Sequence, residues 1–251
     1  MAGHSKWANI RHRKESVDKR KGRLFAKLSR EIMVAARLGG ADPSGNPRLR
    51  IAISKARAAN MPSDNIEKAI KKGIGETSEQ NYEEVLYEAY GPGGVGILIE
   101  AMTDKRTRTT PEIKSILSKA NASFATPNSV LKFFEKKGQI LISKTAIEEN
   151  KLLEIALENG ADDVRIEDEN YEVLVDPKEF SNLMEAFNSH GIPVIESGIR
   201  YLPIEGTEIQ VDAEKADKIL KLLDVLENHD DVQAVYHNML FTKEIEEVLA
   251  R

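Results

Sequence analysis

The sequence predicts an α+β protein: an N-terminal all-helical domain followed by two ferredoxin-like α/β sandwich domains, one inserted in the other. Three observations carry this. Apolar residues recur at helical spacing up to about Gly73, and from Tyr82 onward the pattern shifts to short β-like runs. Residues 138–203 read as strand, helix, strand, strand, helix, strand, the order of a split βαβ sandwich. Finally, LENGADDVRI at 157–166 is echoed by LENHDDVQAV at 226–235. Each is a helix end running into a strand, as expected if two sandwiches of one kind share the chain.

The helices come first. From Arg23 to Leu38, the residues Leu24, Phe25, Leu28, Ile32 and Ala35 fall on one arc, and Arg23, Lys27, Arg30 and Arg37 fall opposite. Gly39 and Gly40 stop this helix. Asn46 is placed to cap the next, with Pro47 at its first position. That second helix, about Arg48 to Asn60, buries Leu49, Ala52, Ile53 and Ala56 and shows Arg50, Lys55 and Arg57. A third, short helix is capped by Ser63 or Asp64 and ended by Gly73. Ahead of them, residues up to about Lys21 carry only Trp7, Ile10 and Val17 as sizeable apolar groups. Such a segment cannot bury enough surface to order itself and is expected to be an arm that orders on binding.

After the polar linker GETSEQN, Tyr82–Tyr90 and Val95–Met102 read as strands joined by a GPGG turn. Thr110 and Pro111 open a helix over Glu112–Ala120, and Val130–Phe134 resembles a short strand. The inserted sandwich has strands at Gln139–Ser143, Asp163–Glu167, Tyr171–Val175 and Val194–Tyr201. Its helices are Ala146–Glu158 and Lys178–His190, the second behind a capping box at Asp176–Glu179. A strand at Glu208–Val211, a helix at Ala213–Glu227 capped by Asp212, and a strand at Val232–His237 return the chain to the first sheet. The expected units are therefore an arm (1–21), a helical bundle (22–76), a discontinuous α/β domain (77–134 and 204–251) and an inserted α/β domain (135–203).

Charge points to function. Residues 1–72 hold 18 Lys or Arg and six Asp or Glu, whereas the remainder holds 18 and 35. Such asymmetry predicts a basic front that meets a polyanion. The expected nucleic-acid-binding residues are Lys6, Trp7, Arg11, His12, Arg13, Lys14, Lys19, Arg20, Lys21, Arg23, Lys27 and Arg30. The cations would neutralise phosphates with release of counterions, and Trp7 would either stack on a base or dock onto the helical bundle. A helix-turn-helix reading of the bundle is weakened by Asp64 and Glu67, which stand where the third helix would contact bases. Lys105, Arg106 and Arg108 form a second small basic cluster ahead of a helix. GPGGVG at 91–96 resembles a phosphate loop, but its flanks read as strands and no Gly-Lys-Ser/Thr follows.

Other classes are disfavoured. The absence of cysteine removes disulfides, thiolate metal sites and Cys nucleophiles. No apolar run reaches the roughly 18 residues of a membrane span, and the basic N-terminus lacks the apolar stretch of a secretory signal. No nucleophile elbow or metal-ligand spacing is present. The expectation is a cytoplasmic, non-enzymatic monomer without cofactor or metal, whose partner is nucleic acid rather than membrane.

The segments AGHSKWANIRHRK, KLSREI, ARAANMPSDNIEKAIKKG and YEAYGPGGVGILIEAMTD resemble the YebC/PmpR family along the whole chain, most densely over residues 2–110. That family includes the mitochondrial translational activator of cytochrome c oxidase subunit I. The resemblance implies three domains, no enzymatic activity and no cofactor. It implies a DNA-binding transcriptional regulator; the alternative it offers is a ribosome-binding factor that relieves stalling at proline-rich sequences. The chain departs from the family's usual pattern at Ala89, Lys105 and Thr107, and in the loop NASFATPNS, where members carry a Gly-rich segment.

Overall fold

The computed structural model describes residues 17–75, 82–167, 169–242 and 245, with side chains from Lys21 onward. Three helices open it: α1 (Val17–Gly39), α2 (Pro47–Ala58) and α3 (Ser63–Ile74). They share a core of Leu28, Ile32, Ala35, Leu49, Ala52, Ile53, Ala56, Ile66 and Ala69. Burying each Leu or Ile is worth about 1.5–3 kcal/mol. The α2 positions are those that its sequence periodicity selects. Asn46 ties α1 to α2: its Oδ1 accepts from Leu49 N at 3.0 Å, and its Nδ2 donates to Ala35 O at 2.8 Å and Gly40 O at 2.9 Å.

Several expectations for the bundle are corrected. Residues 17–21, placed in the arm, are helical; Lys and Arg are good helix formers and no proline interrupts them. Leu24, expected inward, is exposed, because the 23-residue α1 outruns its 12-residue partners. The third helix has Pro62 at its cap position and no side-chain cap. Gly73 does not end that helix. It lies inside α3 and is buried against α1, where an added Cβ would stand 2.5 Å from Met33 O.

The first sheet has the order β3-β1-β2-β8, from β1 (Glu83–Tyr90), β2 (Gly96–Thr103), β3 (Ser123–Phe124) and β8 (Val232–His237). The hairpin between β1 and β2 turns through Gly93 and Gly94, whose φ of 74° and 81° favours glycine. Helices α4 (Arg106–Lys119) and α7 (Ala213–Glu227) pack on this sheet around Ile97, Ile99, Ile113, Leu117, Ile219 and Leu223. Asp212 caps α7 by accepting from Lys215 N at 2.8 Å.

The chain leaves the first sheet after β3 and builds a second. Its strands are β4 (Phe134–Ser143), β5 (Ala161–Ile166), β6 (Asn170–Val175) and β7 (Val194–Pro203), in the order β5-β6-β4-β7. With α5 (Glu149–Glu158) and α6 (Phe180–Ser189), this is the ferredoxin-like strand order. The first sheet is also four antiparallel strands with two helices, but its chain path starts at a hairpin.

Other boundaries differ for local reasons. Helix α4 starts at Arg106, so Pro111 sits inside it; Lys105 N bonds Thr103 Oγ1 at 2.9 Å and sets the earlier start. Residues Leu131–Phe133 form a 3-10 turn, not a strand. The strand instead begins at Phe134, and its charged Lys136 and Lys137 masked that length in the sequence. DPKE is a turn ahead of α6, with Lys178 N bonded to Asp176 Oδ1 at 2.8 Å. The strand expected at Glu208–Val211 is reduced to one bridge between Ile209 and Met239.

Candidate nucleic-acid interface

Lys6, Trp7, Arg11, His12, Arg13 and Lys14 lie outside the described residues. Lys19 and Arg20 fall in the first described turn of α1, at its N-terminal end. Lys21 is exposed, with Nζ 5.8 Å from the Phe25 ring centre, and Arg23 is half-buried.

Lys27 and Arg30, expected on a free basic face, instead dock α1 onto the acidic turn between α7 and β8. Lys27 Nζ donates to Glu227 O at 2.8 Å. Arg30 donates to Asp230 O, lies 4.0 Å from Asp231 Oδ1 and stacks 5.8 Å from the Tyr82 ring centre. The physical reason is electrostatic. The turn ends a helix, where carbonyls and acids gather, and α1 carries the nearest cations.

Asp231 is the hub of this contact. Its buried Oδ2 accepts from Thr109 Oγ1 at 2.6 Å and Arg108 Nη2 at 2.7 Å. Burial alone would raise its carboxyl. Hydrogen bonds from Thr109 and Arg108, with the charges of Arg108 and Arg30, outweigh that and hold it below the usual carboxylate range.

Helix α2 divides its cations in the same way. Arg48 forms a bidentate pair with Glu84 at the start of β1, and Lys55 donates to Glu31 of α1 at 2.7 Å while its stem lies against Gly198 of β7. Lys55, expected on show, is thus turned inward. Arg50 and Arg57 remain exposed, as do Arg37 on α1 and Lys68, Lys71 and Lys72 on α3. None of these six is joined by a hydrogen bond or ion pair to another described residue. They form the available positive surface of the bundle.

GPGGVG is a hairpin between two strands, not the strand-to-helix turn of a phosphate loop. In the basic cluster before α4, Arg108 is held by Asp104 and Asp231, and Lys105 and Arg106 are exposed. Glu112, His229 and Asp231 place one possible metal-ligand atom each within 4.8 Å of one another. They form a hydrogen-bond network: His229 Nδ1 accepts from Asp231 N at 3.1 Å, leaving its Nε2–H directed at Glu112 Oε2, 3.0 Å away. In the loop at 121–129, Asn121 and Asn128 adopt φ of 54° and 64°, the left-handed region that Asn tolerates best after Gly. Buried Glu88 fixes that loop by accepting from the N–H groups of Asn128, Val130 and Leu131 at 2.5, 2.7 and 2.9 Å.

Sequence reasoning missed the docking role of Glu227–Asp231. The signal was present in the echoed helix ends: Asp162 of the first copy pairs with Lys137 at 2.8 Å, and Asp231 of the second sits among Arg30, Arg108 and Thr109.

The fold and surface define an α+β protein with a basic three-helix head and two four-stranded α/β units. The family pattern described as "TACO1/YebC protein N-terminal domain" matches residues 5–76, and that described as "TACO1/YebC second and third domain" matches residues 82–239. The chain belongs to the TACO1/YebC family. It is 49% identical over 250 residues to a probable transcriptional regulatory protein of Geobacter sulfurreducens, covering 99% of this chain and 100% of that one. It is 51% identical over 241 residues to a probable transcriptional regulatory protein of Carboxydothermus hydrogenoformans, covering 95% and 98%. Among solved structures, a conserved hypothetical protein of Aquifex aeolicus superposes with a TM-score of 0.82 at 44% identity, covering 92% of this chain and 94% of that chain.

Proposed function

We propose that the protein is a nucleic-acid-binding regulator of gene expression in the cytoplasm, with DNA as its principal ligand. The observation that carries this is the partition of charge: 18 basic against six acidic residues up to Lys72, and 18 against 35 beyond it. The names of its relatives support a role in transcription. The arm and the head of α1 grip phosphates, which gives affinity without sequence information. The two acidic α/β units sit behind the head and stay clear of the polyanion. No step of bond chemistry is required of any residue.

One observation favours a second reading, binding of ribosomal RNA. In the sequence the single Trp, Trp7, follows Lys6 and lies four positions before Arg11, a combination that suits unstacked bases of single-stranded RNA. Crosslinking in living cells, followed by sequencing of the attached nucleic acid, separates the two. Enrichment of promoter DNA supports transcription. Recovery of ribosomal RNA with cosedimentation on ribosomes moves the function to translation. Absence of both contradicts nucleic-acid binding.

A further inference from the structure

We propose that the outer face of α2 is a second phosphate-binding site, formed by Arg50, Arg57 and Ser54, that works independently of the arm. The inference rests on the nucleic-acid reading above and names a contact within it.

Arg50 and Arg57 are seven residues apart, so they share one helix face within about 20° and stand about 10.5 Å apart along the axis. Ser54 lies between them, one turn beyond Arg50. The two arginines border a shallow depression of about 210 Å³ that Pro43, Ser44, Ile53 and Ser54 complete.

The cations of α2 contrast within one helix. Residues 47–58 contain four cations and no acid. Arg48 and Lys55 reach Glu84 and Glu31. Arg50 and Arg57 have equally long side chains, yet both stay exposed without a partner among the described residues. Both are Arg, whose planar fork matches two phosphate oxygens at once. The neighbouring carboxylate, Asp42, is occupied: its oxygens accept from Ser44 N at 2.9 Å and Ser44 Oγ at 2.6 Å. Pro43 limits the freedom of the turn that carries it.

The test uses the full chain and three forms of it: unaltered, Arg50→Gln with Arg57→Gln, and a control, Lys218→Gln with Lys221→Gln on α7. The control removes two exposed cations elsewhere. Binding to a 20-mer duplex DNA and to a single-stranded RNA is measured by fluorescence anisotropy across a salt series. The site predicts that the double arginine variant binds about tenfold more weakly. Its salt slope should be shallower by about 1.4–1.8, while the control is unchanged and all three forms melt alike. An unchanged slope in the arginine variant, with unaltered protein binding normally, overturns the site and leaves the nucleic-acid reading standing. An equal loss in the control overturns it too, since any two cations would then serve. If the unaltered chain binds neither ligand, reading and site fall together.

Discussion

The basic groups of the molecule have two fates, and the first two helices show both. Lys27, Arg30, Arg48 and Lys55 are bound to other parts of the chain: the turn at Glu227–Asp231, Glu84 and Glu31. Arg37, Arg50, Arg57, Lys68, Lys71 and Lys72 face outward without partners among the described residues. Charge counted in a sequence is therefore not charge available to a ligand. The first set holds the helical head against the sheets, and the second set can meet a phosphate backbone. Changing the first set should alter stability, and changing the second should alter binding.

The largest effect is expected at the hub. Asp231→Ala removes the acceptor shared by Thr109 and Arg108 and the charge facing Arg30. Breaking a largely buried pair in this way costs about 2–4 kcal/mol. Thermal unfolding should fall by roughly 5–10 °C for a chain of this size. A shift below about 2 °C would mean that the head is held by apolar packing instead.

A basic group that stays neutral at neutral pH sharpens the contrast. His237 is fully buried, and burial pushes its imidazole down to about 4. Its Nδ1 accepts from Met239 N at 3.2 Å. The folded value lies below the unfolded one, so the unfolded chain binds the extra proton. The associated stability is complete above about pH 6.5 and is lost as pH falls toward 4, by up to about 3 kcal/mol. Urea unfolding across pH 7 to 4 should show this decline, and His237→Gln should flatten it. A decline that survives the substitution would assign it to other groups.

Smaller effects test the turn and the surface pair. Asn46→Ala removes the α2 cap and the donor to Ala35 O, and should cost about 1–2 kcal/mol. Its measurement is the urea midpoint at constant slope. Arg48→Gln breaks an ion pair in which both side chains are well exposed, 39% and 48%. It should change stability by less than about 1 kcal/mol. If Arg48→Gln proved as costly as Asp231→Ala, burial would not be what separates the docked contacts.

Much of this was legible in the sequence wherever the local signal was also the decisive one. The core positions of α2, the Asn46 cap, the glycine turn of the hairpin and the extent of α7 all follow from spacing and capping within a few residues. What remained illegible depends on distant partners. Gly73 looks like a helix stop until α1 is seen packed against it. Phe134–Ser143 looks broken by its lysines until β7 pairs with it from Phe134 to Ile142. Lys27 and Arg30 look solvated until Glu227–Asp231, some 200 positions away, folds beneath them. Periodicity describes one element at a time; docking is a property of two.

The central claim is that the front of the chain grips a phosphate backbone. It is tested most directly by the salt dependence of duplex binding, for the unaltered chain and for one with Lys6, Arg11, Arg13, Lys14, Lys19 and Arg20 changed to Gln. The claim predicts that the slope of log affinity against log salt becomes shallower by about 0.9 for each phosphate that the altered chain no longer neutralises, and that several phosphates are released in this way. Identical slopes and affinities for the two chains would contradict it.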